Sequence, residues 1–256
     1  MKITLRAFVS LGILTAAAVC AQAQGRAGGG RGAQTPQAGA PVDLTGYWVS
    51  IVTEDWRWRM MTPGKGDYPS IPLSPEGRKV ADAWDPAKDE QSGDQCKSYG
   101  PGNFVRVPGR LHITWQDANV LKLELDNGQQ TRSVRFGRTP FRPAGAATLQ
   151  GDAWAQWLQA GGRGATGPEG EGGTLKVVTT NFKPHYMQKN GVPISLEATV
   201  TEHFDLLKPE PNGDQWLVVT QLIEDPIYLA RPFQRSTHYR KERDGSKWAP
   251  EPCSAR

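Results

Sequence analysis

The chain contains few residues of the kinds that bind metal ions or attack a substrate. Its 256 residues include three cysteines and four histidines. The histidines, at positions 112, 185, 203 and 238, form no H-x-H or H-x-x-x-H pair. The sequence also lacks the G-x-S-x-G turn of serine hydrolases and a phosphate-binding loop with its lysine. We therefore expect no metal site and no cofactor, and the common nucleophile and nucleotide motifs are excluded.

Long apolar runs are missing beyond the N-terminus, and the mean hydropathy is −0.54. The one such run, residues 7–20, is shorter than the roughly 20 residues that cross a bilayer. Lys2 and Arg6 precede it, and Ala21-Gln22-Ala23 follows with the small-x-small pattern of a cleavage site. We expect residues 1–23 to be a signal peptide that is removed on export, leaving no membrane span in a periplasmic or secreted protein. Lipidation at Cys20 is the alternative, and the valine before it disfavours that modification.

Signal removal changes both the cysteine count and the charge. Cys20 leaves with the signal, so Cys96 and Cys253 remain as a pair in an oxidising compartment, where we expect them to form a disulfide. The cleaved segment carries two basic residues and no acidic one, so the formal charge of +4 falls by two. A nearly neutral domain lacks the positive field that nonspecific nucleic-acid binding requires, and we expect no nucleic-acid partner.

The mature chain divides into a linker and one domain. Residues 24–42 are rich in Gly, Ala, Arg, Gln and Pro without an apolar period, which is typical of a disordered linker. Over residues 43–256, short β-type runs recur between turn signals such as Asn127-Gly128. Since no helical pattern alternates with these runs, the sequence predicts an all-β, mostly antiparallel domain folded as a single lipocalin-like barrel. The candidate strands are 44–52, 104–107, 111–116, 120–125, 130–136, 148–158, 175–181, 196–204, 216–224 and 233–241.

One short helix is predicted after the first strands. Ser74 is a suitable N-cap, Pro75 occupies the first helical position and Pro86 ends the helical pattern. The helix interrupts the β-type runs without adding a second layer, so the predicted fold class stays all-β.

Side-chain alternation places two charges on interior faces of the predicted strands. Glu202 shares a strand face with Val200 and Phe204. Arg132 shares one with Val134. A charge on an apolar face must be paired or have a shifted pKa, so we expect Arg132 and Glu202 to meet inside the barrel. The pair is either a structural ion pair or part of an active site in which Glu202 is the general base.

The sequence also resembles two groups of known proteins. The Gly46-x-Trp48 pattern on a first strand is similar to the opening of calycin barrels, which implies that Trp48 closes the barrel base beneath Arg235 or Arg240. Over nearly the whole mature chain, the sequence resembles a family of uncharacterised exported bacterial proteins of the acidobacteria type. That resemblance implies export and a β-barrel-like fold, and it transfers no catalytic residue. The segments that carry it are 83–86 followed by Cys96, 175–182, 189–193, 201–204 and 224–226 with Tyr228.

Three functional hypotheses follow. In the first, the barrel binds a small apolar or amphipathic ligand in its interior. In the second, it is an isomerase or hydrolase that uses Glu202 as base, with Arg132 beside it. In the third, it is a carbohydrate-binding module in which two of the nine tryptophans, Trp56 and Trp58, line one surface. The sequence does not determine the oligomeric state. The residues expected to line or close the cavity in the first hypothesis are Trp48, Trp115, Arg132, Glu202 and Phe204.

Overall fold

A computed structural model describes residues 34–137, 145–159 and 172–255. The predicted signal peptide and the first ten residues of the predicted linker lie outside these ranges. The strands are β1 (Gly46–Ser50), β2 (Arg110–Asp117), β3 (Val120–Leu125), β4 (Thr131–Phe136), β5 (Asp152–Gln159), β6 (Gly173–Thr180), β7 (His185–Gln188), β8 (Val192–Ile194), β9 (Thr199–Leu206), β10 (Trp216–Glu224) and β11 (Phe233–Glu242). The helices are α1 (Trp56–Arg59), α2 (Pro75–Asp82) and α3 (Pro86–Gln91), and two 3-10 turns span Lys97–Tyr99 and Phe104–Arg106.

Nine of the strands close into a barrel in the order β1-β11-β10-β9-β6-β5-β4-β3-β2, and β7 and β8 form a separate hairpin. The predicted all-β barrel is thus confirmed. Neighbouring strands of the barrel are antiparallel except β4 and β5, which pair in parallel. Nine of the ten predicted runs overlap a barrel strand. The prediction for residues 104–107 is wrong, because this apolar segment forms a 3-10 turn that packs into the interior.

The predicted helix is α2. Ser74 caps it, with its Oγ accepting a hydrogen bond from the Gly77 N–H at 3.0 Å. The helix ends at Asp82, before the proline expected to stop it, and Pro86 instead begins α3 behind the cap residue Asp85.

The barrel has two ends of different construction. The strands β2, β4, β5, β9 and β11 begin at the end where β1 finishes, as the antiparallel register requires. At that end residues 96–107, here called the plug, place Tyr99, Phe104 and Val105 fully buried in the same core cluster as Trp48. We call it the plug end. The barrel interior is therefore filled by the chain itself.

The opposite end carries the aromatic side chains of Trp115, Phe136 and Trp157, and we call it the aromatic end. Residues 34–42 lie here, although the composition predicted a disordered linker. The Trp157 Nε1–H donates to the Pro36 carbonyl at 2.9 Å. The Gln37 N–H donates to the Ala118 carbonyl at 3.2 Å, and Val42 packs against the core.

A disulfide joins Cys96 to Cys253, as predicted from the cysteine count. It ties the start of the plug to the C-terminal tail, which also forms a bridge between Glu251 and Asn127 in the β3–β4 turn. In the ranges that the structure describes, no helix has the length and apolar character needed to cross a membrane.

Candidate functional site

The ion pair predicted from the strand pattern is present in the barrel interior. The Arg132 Nη2 lies 2.7 Å from Glu202 Oε2, and Nη1 lies 3.2 Å from Oε1, which makes the contact bidentate. A third hydrogen bond runs from Arg132 Nη2 to Thr179 Oγ1 at 2.9 Å. The two charged side chains are 1% and 0% exposed.

Hydrogen bonds connect this pair to the plug. The Gln221 Nε2 donates to Glu202 Oε1 at 3.1 Å and to the Pro101 carbonyl at 3.0 Å. The Arg235 Nε in turn donates to Gln221 Oε1 at 3.2 Å, and its guanidinium also donates to the carbonyl of Gly102. The buried charges therefore hold the backbone of the plug in place.

His185 belongs to the same assembly and is neutral. Its Nε2 accepts a hydrogen bond from the Gly102 N–H at 3.0 Å, and its Nδ1 lies 3.0 Å from the Lys183 carbonyl. These two contacts require an acceptor at Nε2 and a proton on Nδ1, which is a neutral tautomer. Burial lowers the pKa of His185 to about 4, and the nearby Arg132 charge acts in the same direction.

This arrangement is structural in its chemistry. A general base must reach a substrate proton within hydrogen-bond distance. Glu202 is 0% exposed, and its carboxylate is occupied by Arg132 and Gln221. Four pockets on the described surface, with volumes from about 230 to about 510 Å³, are lined by neither Arg132 nor Glu202. No substrate reaches Glu202 in this conformation.

The five residues expected to line an interior cavity occupy two different places. Trp48, Arg132, Glu202 and Phe204 are fully buried in a packed core, so they line no space open to a ligand. Trp115 is partly buried at the aromatic end and borders a surface groove. The expectation of an interior cavity does not allow for the plug, which fills the space these side chains face.

The aromatic end carries a row of rings. Trp115 and Phe136 have ring centroids 5.5 Å apart, and Phe136 and Trp157 are 5.6 Å apart. Each ring is the last inward-facing aromatic of its strand, following buried residues at alternate positions of β2, β4 and β5. Phe136 and Trp157 were not among the predicted site residues, although the same alternation that identified Arg132 points both inward.

A groove of about 510 Å³ lies beside this row. Trp115 and Thr114 of β2 form one side, and the segment that leads into β1 forms the other. The lining is mixed, since Val42 and Ala40 lie next to the polar side chains of Gln37, Asp43 and Thr45.

Lys241 lies over Trp48 and lines a different pocket, of about 440 Å³, together with Asp214, Glu242 and Asp244. Its Nζ lies 4.8 Å from the centre of the Trp48 ring and donates to the Thr45 carbonyl at 2.9 Å. The cation over Trp48 is therefore Lys241. The calycin resemblance implied Arg235 or Arg240 in this position, but Arg235 binds Gln221 in the interior network.

The two tryptophans of the carbohydrate hypothesis lie on α1. Trp56 is 57% exposed, whereas Trp58 is half-buried. Residues two apart on a helix point to different sides. Arg57 also covers the Trp58 ring, with its guanidinium carbon 4.8 Å from the ring centre. The pair does not form one flat surface.

Within residues 34–137, 145–159 and 172–255, no group of three or more His, Cys, Asp or Glu side chains is placed to hold a metal ion.

No protein-family model matches the chain, and neither the curated proteins nor the solved structures contain a match.

Proposed function

We propose that the protein binds a small apolar or amphipathic ligand in the groove at the aromatic end of the barrel. The observation that carries the proposal is the partly buried Trp115, which lines a groove of about 510 Å³ and stacks on Phe136. That volume lies within the range of roughly 300–1,000 Å³ typical of small-molecule sites. Aromatic rings bury a large apolar area with little loss of side-chain freedom, which favours such ligands.

The groove is a better candidate than the interior. The interior cluster is closed by the plug, and its charged groups already satisfy one another. At the aromatic end, by contrast, Trp115 and residues of the lead segment line a surface groove, and the partly buried rings of Phe136 and Trp157 continue the row from Trp115.

The test uses the neutral fluorescent probe phenylnaphthylamine, whose emission rises in an apolar site. We expect the full mature protein to bind it saturably. A Trp115→Ala variant should bind about tenfold more weakly, because a lost aromatic contact of roughly 1.5 kcal/mol corresponds to that factor. Trp56→Ala is the matched control, since Trp56 is exposed on α1, away from the groove. Equal binding by the wild-type protein and the Trp115→Ala variant would place the site elsewhere.

We also propose that this binding takes place outside the cytoplasm. The disulfide between Cys96 and Cys253 supports an oxidising compartment. Mass spectrometry of the protein recovered from its host should find an N-terminus at Gln24 and no free thiol. An intact N-terminus with three free thiols would overturn this proposal.

A further inference from the structure

Three arginines converge where α1 meets the plug end of the barrel. Arg59 is the last residue of α1, Arg106 belongs to the plug and Arg235 lies on β11. The Arg59 Nε donates to the Arg106 carbonyl at 3.1 Å, and the Arg106 Nη1 donates to the carbonyl of Ser236, the neighbour of Arg235. Arg59 and Arg106 are 5% and 8% exposed, and Arg235 is partly buried. Three like charges therefore lie near one another in a place with little water.

The carboxylates in this region are engaged by other cations. No Asp or Glu oxygen of the described residues lies within 4.0 Å of the Arg59 or the Arg235 guanidinium. Backbone carbonyls and one amide oxygen accept their hydrogen bonds instead. The carboxylates nearest to them are each bound by a different partner: Asp55 by Arg106 at 2.8 Å, Glu54 by His238 at 2.7 Å and Glu202 by Arg132 at 2.7 Å.

Burial makes this excess of positive charge costly. It lowers the pKa of Arg59 and lowers that of Arg235 well below its ordinary value, and the Arg106 charge acts in the same direction on both. A guanidinium keeps its proton in proteins, so these groups cannot become neutral. A buried charge that cannot be neutralised requires a counter-ion.

Two buried donors at this place have no hydrogen-bond partner among the described residues. They are the Arg59 Nη2 and the Thr237 hydroxyl. Thr237 is 1% exposed and lies two residues from Arg235, on the same face of β11. The Arg59 Nη1 donates to the Ile51 carbonyl, and the Ile51 N–H donates to the carbonyl of His238, the residue after Thr237. Arg59 is thereby held against the part of β11 that carries the free hydroxyl.

We propose that a small inorganic anion of the size of chloride binds between Arg59, Arg235 and Thr237. The anion accepts hydrogen bonds from the Arg59 Nη2 and the Thr237 hydroxyl and balances the two guanidinium charges. None of these three residues lines the four surface pockets described above, so a monatomic anion suits this place better than an organic one.

The anion site is separate from the groove at the aromatic end, and its role concerns the plug. Arg59 donates to the Arg106 carbonyl and Arg235 donates to the Gly102 carbonyl, and both acceptors belong to the plug. An anion that compensates the two guanidinium charges therefore stabilises the plug in its closed position.

The test is thermal melting of the full mature protein in chloride and in gluconate at constant ionic strength. Screening depends on ionic strength and acts equally in both salts. Bound chloride should raise the melting temperature saturably, by about 3–6 °C at tenfold its dissociation constant. Arg59→Met should abolish this rise. Arg57→Met is the matched control, because it removes an exposed charge from the same helix and should keep the rise.

Thr237→Val keeps the shape of the side chain and removes only the hydroxyl. It should weaken chloride binding by about tenfold, whereas a hydroxyl without a ligand would make the valine variant respond to chloride as the wild type does. This variant decides the matter if Arg59→Met does not fold.

Diffraction from bromide-soaked crystals of the wild-type protein locates the anion without any variant. We expect an anomalous peak within hydrogen-bond reach of the Arg59 Nη2 and the Thr237 hydroxyl. Equal melting temperatures in the two salts, a chloride response unchanged in Thr237→Val, or the absence of a bromide peak at this place would overturn the proposal.

Discussion

Replacing Glu202 by glutamine should make the protein unfold much more readily. The substitution keeps the shape of the side chain but leaves the Arg132 guanidinium without its carboxylate. Breaking a buried ion pair by removing one partner costs about 3–5 kcal/mol, because the remaining charge stays buried without compensation. Against a typical domain stability of about 5–15 kcal/mol, this is a large fraction.

The structure favours the middle or upper part of that range. Arg132 would lose the charged bidentate contact, at 3.2 and 2.7 Å, and would keep its bond to Thr179 and at most one bond to the neutral amide oxygen. Its Nε already has no hydrogen-bond partner among the described residues. Both side chains are at most 1% exposed, so water does not replace what is lost. We therefore expect a loss of about 4 kcal/mol.

Urea denaturation followed by tryptophan fluorescence measures this loss. The control is Glu124→Gln, because Glu124 pairs with Lys122 at 3.0 Å in a half-exposed place and should cost less than about 1 kcal/mol. The double variant Arg132→Met with Glu202→Leu removes both charges and should recover most of the stability. A Glu202→Gln variant within about 1 kcal/mol of the wild type, or a double variant less stable than the single one, would refute the reasoning.

Three further predictions concern the plug and its surroundings. Burial lowers the pKa of His185 from 6.5 to about 4. Between these two values the unfolded chain binds a proton that the folded chain does not. The free energy of unfolding should therefore fall by up to about 3 kcal/mol as the pH drops from 6.5 to about 4. Urea titrations across the window should show a steeper pH slope for the wild type than for His185→Gln, and equal slopes would contradict the assignment. Replacing Cys96 and Cys253 by serine opens a connection across 157 residues and should lower stability by up to about 5 kcal/mol, so an unchanged melting temperature would count against it. Gly102→Ala would place a Cβ 1.9 Å from a buried isoleucine and should lower the free energy of unfolding by about 1–3 kcal/mol in the same urea assay. The control is Gly64→Ala, whose Cβ meets nothing within 4 Å and should have little effect. Equal losses for the two variants would contradict the packing argument.

The barrel strands could be predicted because alternation is a local property. Whether a residue faces inward depends on its neighbours two positions away, and those are written in the sequence. The same rule identified Arg132 and Glu202, which meet although they are 70 residues apart. A turn at Asn127-Gly128 also connects β3 and β4 as expected, but it is longer than a two-residue turn, and the positive φ angles fall on Gly128 (87°) and Gln129 (49°).

The alternation rule failed for residues 104–107, an apolar run that lies inside the closed barrel. Phe104 and Val105 have the composition of a strand, yet every strand of the closed barrel already has two neighbours, so this segment finds no free edge and folds as a 3-10 turn. The β7–β8 hairpin was missed for a related reason. It pairs with itself outside the barrel, and its short strands carry a weak pattern.

The sequence by itself therefore determined the fold class, the inward charges and the cysteine pair, because each depends on local periodicity or on a count. Only the tertiary structure decided that the interior is filled, that Lys241 is the cation over Trp48, and that a groove lies beside Trp115 at the end of the barrel. These features depend on contacts between distant segments, such as the hydrogen bond from Gln221 to the Pro101 carbonyl across 120 residues. The period of a strand specifies which way a side chain points, and it carries no information about which part of the chain fills the space in front of it.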